Sequence, residues 1–287
     1  MFHLILNRLS NWRQSRNDIS TRTFIDEQIK IIQRYDPKTG VKCGGKNFLL
    51  ARTLPNARLK TVFGIDNAFT TDSSARSNGF VKDARHQLQT SIGIKDQGVN
   101  MVEGKWSDII NFTRSTIAKE LPLRGEIINL ADLIQFVTLK ISLKFLFDAA
   151  EDKLEKREGI SYLAKTINIL WIESKNMHSE NGWEWKDEAR MHDCLRDLTG
   201  KDALDPLQNP MNLILPGYET MWRAVFRGIL EVYFRDQAAD TTTWQRLLAK
   251  FLQNPTKKQF QSDEAGGTES LCAKDIVKEI LRIYPPT

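Results

Sequence analysis

Residues Pro216-Gly217-Tyr218-Glu219-Thr220 set a carboxyl and a hydroxyl side by side in the apolar stretch 211–235. Glycine removes side-chain bulk, so a bound molecule can approach the backbone at Gly217. Pro216 has no amide hydrogen and kinks a helix. A kink frees a carbonyl to hold water. A buried, unpaired Glu219 would hold its proton more tightly than an ordinary glutamate. The same residues also fit a helix start, with Glu219 facing solvent. From the residues alone both readings stay open.

Three further groups have types or spacings worth weighing. Glu279 and Arg282 are three apart and can pair on one helix face. Arg85 and His86 lie in the stretch from Gly79 to Ile92 and read as a solvated helix face. Cys43, Cys194 and Cys272 are too few and too far apart for a disulfide framework. No cysteine pair has zinc-ligand spacing, and the four histidines do not cluster.

The elements that must position these groups read as helices. Leu4, Leu9, Trp12, Phe24, Ile25, Ile29, Ile31 and Ile32 recur at mixed helical spacing in 1–35, before the turn cluster 36–40. Asn100 to Leu121 is amphipathic, with Ile109, Phe112 and Ile117 on its apolar side, and Pro122 ends it. Ile127 to Phe147 is apolar nearly all round, which marks a buried helix. Lys140 and Lys144 interrupt it, so it does not read as a membrane span. Tyr162 to Trp171 is apolar again, and Trp183 and Trp185 read as packing residues. Trp244, Leu247, Leu248 and Phe251 give 238–252 an inner face, and 253–269 reads as a loop before the helix of Ile276, Val277, Ile280 and Ile283. Pro285 and Pro286 stop that last helix.

Composition bounds the class. With 287 residues, the chain can bury a sizeable core. Hydrophobic residues at 41% and charged residues at 27% describe an ordinary globular protein. The net charge of +5 is spread out with no dense Lys/Arg block, so no nucleic-acid partner is expected. The apolar run after Met1 is too short for a transmembrane span.

The string Lys278-Glu279-Ile280-Leu281-Arg282-Ile283-Tyr284-Pro285-Pro286-Thr287 closely resembles the K-helix signature of the cytochromes P-450, the haem-thiolate monooxygenases. The run from Val62 to Thr71, read as Phe63-Gly64-Ile65-Asp66-x-x-Phe69-Thr70, resembles a segment of certain fungal members, where it precedes the C helix near the pocket entrance. Gly217, Glu219 and Thr220 match that family's I-helix motif, in which acid and hydroxyl relay protons to reduced oxygen; Pro216 replaces its small residue. The stretch 127–147 resembles its E helix, and Tyr162 to Lys175 its F/G region, which roofs the substrate site. Arg85 holds the propionate-binding Arg position, while Val81 stands where Trp is expected.

The resemblance implies an all-α-dominated fold: one cytochrome P-450-like helical domain over 1–287, with little sheet, truncated after the K helix. It implies a ligand pocket at Phe63, Phe69, Gly217 and Tyr218, with Glu219 and Thr220 as catalytic residues and Glu279 and Arg282 as the structural signature. Haem is the family's cofactor, yet the cysteine loop that ligates it does not occur here, so no haem-thiolate centre is expected. The implied function is that of a relative of monooxygenases that oxidise hydrophobic small molecules in fungal secondary metabolism. Two alternatives stand beside it. One is a haem-free binder or non-redox enzyme (cyclase or isomerase) with Glu219 as acid/base. The other is a helical partner of a complete oxygenase. An exposed apolar face on the E-like and I-like helices, covered by an oligomer or protein partner, is expected. The expected location is cytoplasmic or peripheral to the endoplasmic reticulum.

Overall fold

A computed structural model describes residues 49, 52–92, 103–125, 127–175, 184–234, 239–261 and 271–284. The readings made for 1–35, the turn at 36–40, Cys43, Trp183 and the terminal prolines lie outside the described residues, as does 262–269 of the loop expected over 253–269; the described part of that loop carries a short helix, Lys257–Gln261. Among the described residues every regular element is a helix, and there is no strand. The nine longer helices are α1 (Ala57–Phe63), α2 (Ser74–Ile92), α3 (Glu103–Glu120), α4 (Leu130–Phe147), α5 (Arg157–Glu173), α6 (Ala189–Thr199), α7 (211–234), α8 (Ala239–Gln253) and α9 (Ala273–Ile283).

Helix α4 is apolar on nearly every face, so it is stable only when surrounded. Helices α2, α3, α5 and α7 all pack on it. Leu139 and Leu143 are fully buried at its centre. Burial of each such side chain contributes about 1.5–3 kcal/mol. Its few polar groups are satisfied locally. The Asn129 side chain accepts from the Asp132 amide at its start, and Thr138 and Ser142 donate to carbonyls one turn back. Lys140, 5% exposed, meets Glu155 at 3.5 Å.

Helix α7 is built in four pieces: Met211–Ile214, a π turn at Leu215–Glu219, Thr220–Ile229 and a second π turn at Leu230–Phe234. The first π turn starts where Pro216 removes an amide. That missing N–H would have served the Asn212 carbonyl, four residues back. Asn67 serves it instead, its Nδ2 donating to Asn212 O at 3.0 Å. The Asn212 side chain returns the contact, accepting from the Asp66 amide at 2.8 Å and donating to Pro206 O at 2.8 Å. Asn209 donates to Phe63 O at 2.8 Å. Three asparagines thus sew the turn after α1 to the start of α7.

Gly64 ends α1 at φ +61°, and a Cβ there would lie 2.2 Å from Trp185 Cδ1. Both the left-handed backbone and the indole packed against it require glycine. Trp185 is anchored by a 2.9 Å hydrogen bond from its Nε1 to Ala203 O, which bears out its reading as a packing residue.

Helix α9 sits on a second, smaller core. Ile276 and Ile280 pack with Leu247 of α8. Gly228 of α7 lets Ile280 approach, since a Cβ there would lie 2.9 Å from Ile280 Cδ1. Glu279 and Arg282 form a two-pronged ion pair on the outer side, with Arg282 Nε 2.7 Å from Glu279 Oε2. That hydrogen bond holds the Glu279 carboxyl below its ordinary pKa. The expected apolar face is corrected for the E-like helix: α4 is enclosed by its four neighbours. On α7, Val225, Tyr233 and Phe234 are exposed.

The exchange of donors at Asn212 is testable. Asn67→Ala leaves a buried carbonyl unserved and should cost about 1–3 kcal/mol in urea denaturation. Pro216→Ala restores an amide to the helix. In the Asn67→Ala background it should recover part of that loss, giving a non-additive double-mutant cycle. Strict additivity would sink the account.

Candidate functional site

The asparagine-bound turn and the π turn of α7 are the two sides of a cavity of about 330 Å³. Leu59 of α1 and Trp171 of α5 close it, and Ile65, Asn67 and Phe69 come from the turn. Leu215, Pro216, Glu219, Thr220 and Arg223 of α7 form the facing wall. A π turn inserts one extra residue per turn and so re-aims the side chains that follow it. Here it brings Glu219 and Thr220 onto the cavity wall together.

Glu219 is 4% exposed and fully engaged. Trp222 Nε1 donates to its Oε2 at 2.7 Å, and Arg223 Nε donates to its Oε1 at 2.8 Å. Arg223 Nη2 reaches the same Oε1 and also donates to Asn168 Oδ1 at 2.9 Å. The Arg223 guanidinium lies 4.5 Å from the Trp222 ring centroid. Burial pushes the Glu219 carboxyl above its ordinary pKa, and the Arg223 charge and the Trp222 hydrogen bond pull it part of the way back. Glu219 is therefore buried but paired. It can hold Arg223 in place, and it binds a proton more readily than a surface glutamate does.

The structure divides the expected site residues. Glu219, Thr220 and Phe69 lie together on the cavity wall. Tyr218, expected in the pocket, points into the core instead; it is fully buried, and its hydroxyl donates to Ala164 O at 3.2 Å. Gly217 is exposed, with Leu146 Cδ1 the nearest atom to a Cβ built on it, and it does not line the cavity. Phe63 is a core residue of α1. Arg85 is exposed in a separate polar groove with Lys82, Asp83 and His86. Glu279 and Arg282 belong to α9 and do not line the cavity.

Haem, the cofactor that the resemblance implies, would need an axial ligand at the cavity. Metal ligation by cysteine needs a thiolate. Burial raises the pKa of Cys194, and burial together with a hydrogen bond to Asp275 raises that of Cys272. The cavity lining contains neither thiol nor imidazole. His192 lies against Trp185, with ring centroids 4.5 Å apart, and His86 is exposed. Among the described residues no group of three or more His, Cys, Asp or Glu is placed to hold a metal ion.

Several lining residues were not singled out as site residues from the sequence: Leu59, Ile65, Asn67, Trp171 and Arg223. Arg223 had a readable signal, standing four residues after Glu219. Asn67 and Ile65 lay within the segment already linked to a pocket entrance. Comparison with protein-family models, curated proteins and solved structures finds no match for the chain.

The raised pKa of Glu219 fixes the sign of a pH effect. A folded-state value above the unfolded one, about 4.3 for glutamate, gives stability that is full below the unfolded value. That stability is lost as pH rises through the folded value. Glu219→Gln removes this slope. In urea denaturations between about pH 4 and 8, the wild type should lose stability relative to the variant as pH rises. The opposite trend would show that Arg223 and Trp222 outweigh burial.

Proposed function

We propose that this chain binds a hydrophobic small molecule in the cavity between α1, its following turn, α5 and the first π turn of α7. The observation that carries the reading is the cavity itself. Leu59, Ile65, Trp171 and Leu215 give it apolar walls, and Glu219, Thr220 and Asn67 supply a few convergent polar groups. That mixture is the ordinary make-up of a small-molecule site, whose volumes run from about 300 to 1,000 Å³.

A descent from the cytochromes P-450 is part of the proposal. Its support is the order of the matching segments and the position of two of them. The Phe63-to-Thr70 segment and the Glu219-Thr220 pair stand on opposite sides of one cavity. No step is assigned to haem. The alternative of a non-redox enzyme draws on the raised pKa of Glu219. Both its carboxylate oxygens already accept N–H donors, which favours a role in holding Arg223 over proton transfer.

The test fills the cavity from its wall. Thr220 is half-buried there, and Thr220→Phe projects a ring into the empty volume. Titration calorimetry with octan-1-ol should show saturable binding to the wild type. The affinity should fall about tenfold or more in the variant, or at least about 1.4 kcal/mol, with little change in Tm. Equal binding by both proteins would place the ligand elsewhere.

A further inference from the structure

The charges beside the cavity do not balance. Inside it, Arg223 is matched by Glu219. Two further cations stand over the ring of Trp171, which forms the cavity wall. Arg58 Cζ lies 5.6 Å from the ring centroid and Lys175 Nζ lies 5.7 Å from it. Arg58 is held in that position, its Nε donating to Ser174 Oγ at 3.3 Å and its Nη1 to Pro55 O at 3.1 Å. Lys175 is exposed, and its charge makes the Glu219 carboxyl easier to ionise. Among the described residues, neither Arg58 nor Lys175 is paired with a carboxylate.

The geometry points to a ligand with two ends: an apolar body in the cavity and a carboxylate held between Arg58 and Lys175 at its Trp171 side. This inference rests on the cavity being the binding site and adds the chemical class of what enters it. The body packs on Leu59, Ile65 and Leu215, where only apolar contact is offered. An anion is favoured over a cation or a neutral headgroup because two positive charges without a carboxylate partner stand within 6 Å of the centre of one indole ring. Charge-assisted hydrogen bonds from guanidinium and ammonium to carboxylate are the stronger kind. The Arg58 fork is already oriented, so less freedom is lost on binding. A cavity at the small end of the usual range suits a compact monoanion such as a medium-chain or aromatic carboxylate.

Octanoate, octan-1-ol and octylamine share one body and differ only in the head. Titration calorimetry at low salt should show octanoate binding about tenfold tighter than octan-1-ol, with octylamine weakest. The preference for octanoate should shrink on raising the ionic strength, because Lys175 is exposed and Arg58 only half-buried, where salt screens their charges. The double variant Arg58→Gln, Lys175→Gln should lose the preference and keep its affinity for octan-1-ol. Equal affinity of octanoate and octan-1-ol for the wild type would overturn the inference while leaving the cavity as a binding site. A preference that survives in the double variant would overturn it too. If none of the three binds, the cavity reading itself falls, and this inference falls with it.

Discussion

One backbone carbonyl organises this structure. Pro216 deprives Asn212 of the amide that a regular helix would supply, and a buried carbonyl cannot be left unserved without a cost of a few kcal/mol. The side chain of Asn67 supplies the donor, so the turn after α1 must dock on α7. Docking then places Ile65, Asn67 and Phe69 opposite the π turn. The cavity lies between two segments held together at one side by asparagine hydrogen bonds. A regular helix over 211–220 would need no Asn67 and would present a different set of side chains.

The second constraint is electrostatic. A carboxylate at 4% exposure is expensive unless its partners are close and well aimed. Glu219 meets that requirement with Trp222 on one oxygen and Arg223 on the other. Arg223 in turn spends a nitrogen on Asn168 of α5. The chain from Trp222 through Glu219 and Arg223 to Asn168 ties α7 to α5, the helix that brings Trp171. The same network that solves a solvation problem therefore sets the distance between two cavity walls. Such networks are rigid when complete, which suits a site that must be preformed.

The helices were legible because periodicity reports burial directly. The run 127–147 is apolar on all faces, and α4 is enclosed on all sides. The break in the regular α-helix at Pro216 was legible for the same local reason: a missing amide is written in the residue. Tyr218 was harder. Its placement depends on the register after the π turn, and one inserted residue turns a side chain from the cavity toward the core. No local signal specifies that the helix answers Pro216 with a π turn. Asn67, Asn209 and Asn212 were invisible for another reason. They act across about 145 residues of sequence, and asparagine in a turn otherwise reads as a turn former.

The Glu279–Arg282 pair and the candidate site are on different cores. Glu279 and Arg282 stand on α9 over the smaller cluster of Leu247, Ile276 and Ile280, whereas the cavity lies against the large core around α4. Helix α7 serves both. Its π turn walls the cavity, and one helical segment later Gly228 receives Ile280. At its second π turn the Tyr284 hydroxyl donates to Glu231. Helix α7 is therefore a direct route from the terminal helix to the cavity, beside the hydrogen bond from Arg114 of α3 to Leu252 O of α8. An ion pair on the outer face of α9 has little leverage on that route, since pairs of this kind contribute about 0–1 kcal/mol. The close seat of Ile280 on Gly228 has more, because backbone contact admits no adjustment by a side chain of α7.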